Sequence, residues 1–133
     1  MTDRKIIIDF DGEIIPGHGA AGLVLGTNRI EIDKRLLDSD DITLHFEEDM
    51  LTQIGVTGDY KGKLISNLGL GDLVSDFEKV YGPMIEGDED ELTFKNIKGF
   101  WFDVDDSKYN SYNWWTEIPK LPVTHIYVFK TRW

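Results

Sequence analysis

Short runs with a period of two, cut by glycine and Asx residues, dominate this chain and leave it little choice but an antiparallel sheet. Ile42 to Phe46 alternates apolar and polar residues, Met50 to Val56 comes next, and Glu47-Glu48-Asp49 between them reads as the connection of a hairpin. Tyr60 to Ile65, Leu92 to Phe94, Phe100 to Val104 and Val123 to Lys130 add further strand candidates. Near the start, Lys5 to Phe10 reads as a strand, Asp11-Gly12 as a tight hairpin turn and Glu13 to Ile15 as the return. Strands this short, joined by short connections, pair most readily as antiparallel neighbours.

One segment breaks the pattern. Leu73, Val74, Phe77, Val80 and Tyr81 fall on one side of a helix begun by Asp72 as N-cap, and Gly82-Pro83 ends it. A related stretch lies 45 residues earlier, where Leu23-Val24-Leu25-Gly26-Thr27 superimposes on Leu68-Gly69-Leu70-Gly71-Asp72. The two copies keep step beyond the glycine: Glu31 meets Asp76, Ile32 meets Phe77, Lys34 meets Lys79 and Leu36 meets Tyr81. Asn28 and Arg29 replace Leu73 and Val74, which predicts a shorter and less amphipathic first helix. The expected fold is therefore α+β: a mainly antiparallel sheet with two short helices, built from two degenerate turn-helix-hairpin repeats at 22–57 and 67–105. With 133 residues, the span 1–133 is expected to be a single domain around one core.

The pattern from Leu70-Gly71-Asp72 through Asp76-Phe77 to Tyr81-Gly82-Pro83 resembles the repeat motif of bacterial β-lactamase inhibitor proteins and small outer-membrane assembly lipoproteins. That resemblance, about fifteen residues in each copy, implies a helix-and-sheet scaffold used for binding other proteins. The chain departs from those families in having no cysteine, hence neither a lipidated residue nor a disulfide. In general character, as a small acidic protein, it is also similar to the immunity proteins of bacterial contact-dependent or polymorphic toxin systems.

Charge narrows the partners. Twenty-five acidic against 14 basic residues give a net charge of -11, which repels nucleic acid and anionic membranes and favours a basic partner. Ile6-Ile7-Ile8 is too short for a secretory core and no run approaches the length of a membrane span, so the cytoplasm is the expected location.

Four sets of residues have types that could carry chemistry. Asp9-Phe10-Asp11-Gly12 after an apolar run resembles the DxDG signature of haloacid-dehalogenase-type phosphatases, yet Glu13 stands where that signature has threonine, and no helical pattern comes after it. Gly17-His18-Gly19-Ala20-Ala21-Gly22 lacks the layout of a phosphate-binding loop and reads as a flexible connection. Asp88-Glu89-Asp90-Glu91 and Asp103-Val104-Asp105-Asp106 lack the spacing of a calcium loop. His18, His45 and His125 lack the spacing of a helical zinc pair. No cofactor or catalysis is expected.

The richest stretch is Phe100 to Trp115, where rings and carboxylates mix. Alternation sends Phe100 and Phe102 to the core, and Trp114-Trp115 can clamp the end of the sheet. The candidate partner-binding residues are the acidic Asp88, Glu89, Asp90, Glu91, Asp103, Asp105 and Asp106, together with Tyr109, Tyr112, Trp114 and Trp115. Aromatic anchors and carboxylates in one region suit a cationic macromolecule. The leading expectation is an immunity or inhibitor protein that blocks a basic toxin, such as a nuclease; a carbohydrate-binding module is the alternative, and the phosphatase the third reading.

Overall fold

The computed structural model describes residues 8–33, 39–87, 91–110 and 112–131. Its frame is one six-stranded sheet in which every neighbouring pair is antiparallel: β3 (Ile42–Glu47), β4 (Met50–Thr57), β8 (His125–Phe129), β7 (Phe100–Asp103), β6 (Leu92–Phe94) and β5 (Met84–Glu86), in that spatial order. A two-stranded ribbon, β1 (Gly19–Ala20) with β2 (Leu23–Val24), forms a separate small sheet. Helix α1 (Val74–Tyr81) and the single turn α2 (Trp114–Glu117) complete an α+β architecture.

Alternation along the strands decides where the core sits. Ile54 and Val56 on β4, Ile126 and Val128 on β8, and Phe100 and Phe102 on β7 are at most 2% exposed. Onto this face α1 lowers Phe77, whose ring stacks on Phe94 at 5.6 Å between centroids and lies 6.2 Å from Phe100. Phe94 in turn stacks on Phe102 at 4.9 Å. Offset and tilted ring pairs of this kind add to simple burial. The segment 8–25 closes the rest: Ile14, Ala20, Ala21, Leu23 and Leu25 join the same buried cluster.

The two stretches with similar sequence hold comparable elements of unequal size. In the second, α1 leads into the β5–β6 hairpin. In the first, a one-turn 3-10 helix (Arg29–Glu31) precedes the β3–β4 hairpin, capped by Asn28 and Glu31 acting reciprocally. Lys34 and Leu36, which would extend that helix, lie outside the described residues.

Several elements differ from the sequence expectation. The helix does not use Asp72 as N-cap: that position is Leu73, while the Asp72 carboxylate accepts the Gly69 N–H at 2.8 Å and the Leu121 carbonyl accepts the N–H of Val74. Val80 is 53% exposed, so the buried stripe of α1 is Val74 and Phe77. The second α-helix is Trp114–Glu117, where a clamp was expected.

Among the described residues, 8–10 and 13–15 do not pair as the two strands of the expected N-terminal hairpin. Residues 5–7 lie outside the described residues, and Asp9 donates its N–H to the Ala21 carbonyl while Ile14 donates to that of Lys63. Asp9 to Gly12 does make a turn, closed by the Gly12 N–H on the Asp9 carbonyl at 3.0 Å. Gly12 is needed for a different reason than a positive φ: a Cβ there would sit 2.7 Å from the Gly22 nitrogen. Tyr60 to Leu64 forms no strand and Ile65 enters a turn, while the glycine-rich 17–22 segment folds into the ribbon. The Tyr60 hydroxyl ties these stretches together, donating to the Gly12 carbonyl and accepting the Ala21 N–H at 2.9 Å.

Candidate functional site

The side of the sheet turned away from the core is built by the other half of each alternation. Trp101 and Asp103 on β7 stand opposite Tyr127 and His125 on β8. Trp101 and Tyr127 stack at 3.8 Å between centroids with planes 10° apart. The indole N–H of Trp101 donates to Gln53 Oε1 at 3.1 Å, and since Gln53 belongs to β4, the side chains bridge over the intervening β8. Tyr127 fills the space above Gly55, where a Cβ would come within 2.7 Å of its ring. These rings are half-buried and held from more than one side.

At one end of this face the chain leaves the sheet for the long connection 104–124, which carries a 3-10 turn (Asp106–Lys108), α2 and a second 3-10 turn (Ile118–Lys120) before β8 begins. Between the connection and the strands lies an open groove of about 520 Å³ lined by Asp103, Asp105, Asp106, Tyr109, Thr124 and His125, with Leu92 and Val104 as its apolar wall. Thr124 shapes it, donating its N–H to the Asp103 carbonyl at 2.9 Å and placing its hydroxyl 2.9 Å from His125 Nδ1.

The three carboxylates differ. Partial burial raises the Asp103 carboxyl above the ordinary aspartate range, opposed by His125 nearby and reinforced by Asp106. Asp105 is held below that range because the hydroxyl and N–H of Ser107 donate to it at 2.7 and 3.0 Å. Asp105 thus caps its own turn, and its charge is partly used by the loop. Asp103 and Asp106 are the carboxylates that face the groove with less of their hydrogen-bonding capacity committed.

Of the remaining predicted residues, Tyr112 is 93% exposed and Trp115 is 48% exposed on the long connection. Trp114 packs partly against the core and stacks on Trp115 at 3.9 Å. Glu117 accepts the Asn110 N–H and closes the loop that presents Tyr112. Glu91 leads into β6 at the loop end of the β5–β6 hairpin, its carbonyl accepting the Gly87 N–H. Asp88, Glu89 and Asp90 lie outside the described residues. The groove therefore gathers Asp103, Asp105, Asp106 and Tyr109, while Tyr112, Trp114 and Trp115 are not among the residues that line it.

Sequence reasoning missed Tyr127, His125 and Gln53. For His125 and Tyr127 the signal was the alternation of His125-Ile126-Tyr127-Val128-Phe129, which sends Ile126 and Val128 inward, and for Gln53 it was the inward placement of Ile54 and Val56 on β4.

A second groove, of about 500 Å³, shares Thr124 but carries Lys61 and Lys63, the opposite charge. Asp9 and Asp11 sit on their own turn, the Asp9 carboxylate accepting the Asp11 N–H at 2.9 Å, and the ribbon comes where the phosphatase signature implies a helix. Among the described residues no three His, Asp or Glu side chains come together as a metal site, and no helix is long and apolar enough to cross a membrane. No known protein family, curated protein or solved structure matches the chain.

Proposed function

We propose that this protein is an immunity or inhibitor protein that binds a basic toxin, such as a nuclease, and blocks its active site or substrate groove. The observation that carries this reading is the acidic groove of Asp103, Asp105 and Asp106 beneath a ring-bearing connection, on a chain of net charge -11. Lysine and arginine side chains of a partner would enter the groove as charge-assisted donors, and Tyr112 and Trp115 would supply contact area at low entropic cost. The cytoplasm is the compartment in which such a protein would meet an incoming toxin. On this reading the chain makes and breaks no bond, and long-range attraction speeds the encounter.

The partner to test is a basic toxin domain encoded beside this reading frame. A one-to-one complex that abolishes the toxin's activity is expected, with association slowing at least about tenfold between low and high salt. A complex whose association rate ignores salt would remove the electrostatic part. A toxin that stays fully active in equimolar mixture would remove the reading itself.

A further inference from the structure

The strands of the large sheet contain no lysine or arginine; their charged residues are Glu47, Glu86 and Asp103, with His45 and His125. The strands themselves thus place no lysine or arginine on the outward side of the sheet. That side presents Thr43, Gln53, Ile85, Trp101, Tyr127 and Phe129, each of which keeps contact with solvent. Trp101 stands at its centre, stacked on Tyr127 and tied to Gln53, so its indole is fixed before any partner arrives. A preorganised ring loses little freedom on binding. Two residues along β7, on the same side, stands the Asp103 carboxylate.

From this arrangement we infer that the outward face is a docking platform for an arginine-bearing protein surface, with Trp101 as anchor and Asp103 as the neighbouring carboxylate. The inference rests on the basic-partner reading for the sign of the partner's charge, and it names a surface and a side chain which that reading does not. Arginine fits better than lysine because a planar guanidinium can lie on an indole and still bond a carboxylate, whereas an ammonium is a compact, strongly hydrated point charge. A second copy of the chain is disfavoured, since it would bring together two chains of net charge -11 each. Nucleic acid and anionic lipid are disfavoured by the same sign.

The test uses the whole chain, labelled with nitrogen-15, titrated at low salt with poly-L-arginine and separately with poly-L-lysine of the same length. Shifts are expected at the Trp101 indole N–H and at the amides of Thr43, Gln53, Tyr127 and Phe129, with the arginine polymer bound roughly threefold or more tightly than the lysine polymer. Trp101→Ala should erase that preference. Should this variant prove misfolded by circular dichroism, the exposed Thr43→Lys decides: it places a cation on the platform and should weaken both polymers roughly threefold. Shifts confined to residues 104–115, an arginine polymer bound no better than lysine, or a Thr43→Lys chain that binds normally would each overturn the platform while leaving the basic-partner reading standing. Failure of both polymers to bind at low salt would overturn both. Concentration-dependent shifts at the same residues without polymer would overturn it in favour of self-association.

Discussion

The two faces of the large sheet are made from the same strands and both are rich in rings, yet the rings are held in different ways. On the inward face Phe77, Phe94, Phe100 and Phe102 are at most 1% exposed and sit inside the apolar cluster. On the outward face Trp101 and Tyr127 keep solvent contact and are fixed by one polar bond, one glycine and each other. Burial holds the first set; local geometry holds the second. Changes on the inward face should therefore be read in stability, and changes on the outward face chiefly in binding.

The sharpest way to break this comparison is Phe77→Ala. It removes the ring that joins α1 to Phe94 and Phe100, and should cost about 3 to 5 kcal/mol in urea unfolding. A loss under about 1 kcal/mol would mean that α1 is not a necessary part of the inward layer.

Tyr60 sharpens the comparison from the side of the segment that closes the inward face. Tyr60→Phe leaves the Gly12 carbonyl and the Ala21 N–H without their partner, a loss of about 2 to 3 kcal/mol. Burial also pushes the phenol from 10.0 up to about 12, with Ala21 opposing and Asp9 and Asp11 reinforcing. A folded-state value above the unfolded one gives stability that is fully present below pH 10 and is lost as pH rises through about 12. Chemical unfolding measured across that alkaline window should fall steeply in the parent chain and less steeply in the variant. Equal slopes would mean that Tyr60 does not sense the fold. Tyr127, raised in the same direction by burial and Asp103, contributes a weaker slope of the same sign to both chains.

How much of this could be read in advance depended on whether a signal was local. The β3–β4 hairpin was legible because Ile42 to Phe46 alternates, and the end of α1 because Gly82-Pro83 cannot continue a helix. Phe100 and Phe102 were legible as core by the same alternation. The cap at Asp72 was not, because an aspartate before a helix can equally bond backward, as it does to Gly69. Residues 8–25 were illegible because the backbone bonds that anchor the segment to the rest of the fold run to Lys63 and Gly99, distant partners that no local pattern encodes. In the candidate site, Asp103, Asp105 and Asp106 were visible as a cluster in sequence, but the groove they line was not. The pairing of Trp101 with Tyr127 was not, since it depends on which residues of two strands stand opposite, and register across a connection as long as 104–124 leaves no mark in sequence.

Trp101→Ala tests whether the outward face is as separate from the core as its construction implies. The stack on Tyr127 and the bond to Gln53 should be worth about 1 to 2 kcal/mol together, well below the Phe77 loss. Thermal unfolding of the two variants side by side gives the ranking. A Trp101 loss equal to that of Phe77 would show that the outward rings support the sheet as strongly as the core does.

The smallest effect should come from Asp103, where the outward face meets the groove. Partial burial raises this carboxyl, and Asp106 adds to the shift, so the fold holds the charged form at a disadvantage that His125 only partly offsets. Stability tied to Asp103 is therefore fully present below the ordinary aspartate value and is lost as pH rises through the raised one. Asp103→Asn removes the penalised charge, so the variant should be slightly more stable than the parent at neutral pH. The gain should be under about 1 kcal/mol, because the side chain remains open to solvent. Thermal midpoints measured from about pH 7.5 down to about pH 4 should converge as the parent's carboxyl takes up its proton. Binding of a cationic partner should move the opposite way, weakened in the variant at neutral pH. A residue kept at some expense to stability, and missed when the partner arrives, is what separates a recognition surface from a merely solvated one. An Asp103→Asn chain that is less stable at neutral pH and binds unchanged would place Asp103 among the structural residues instead.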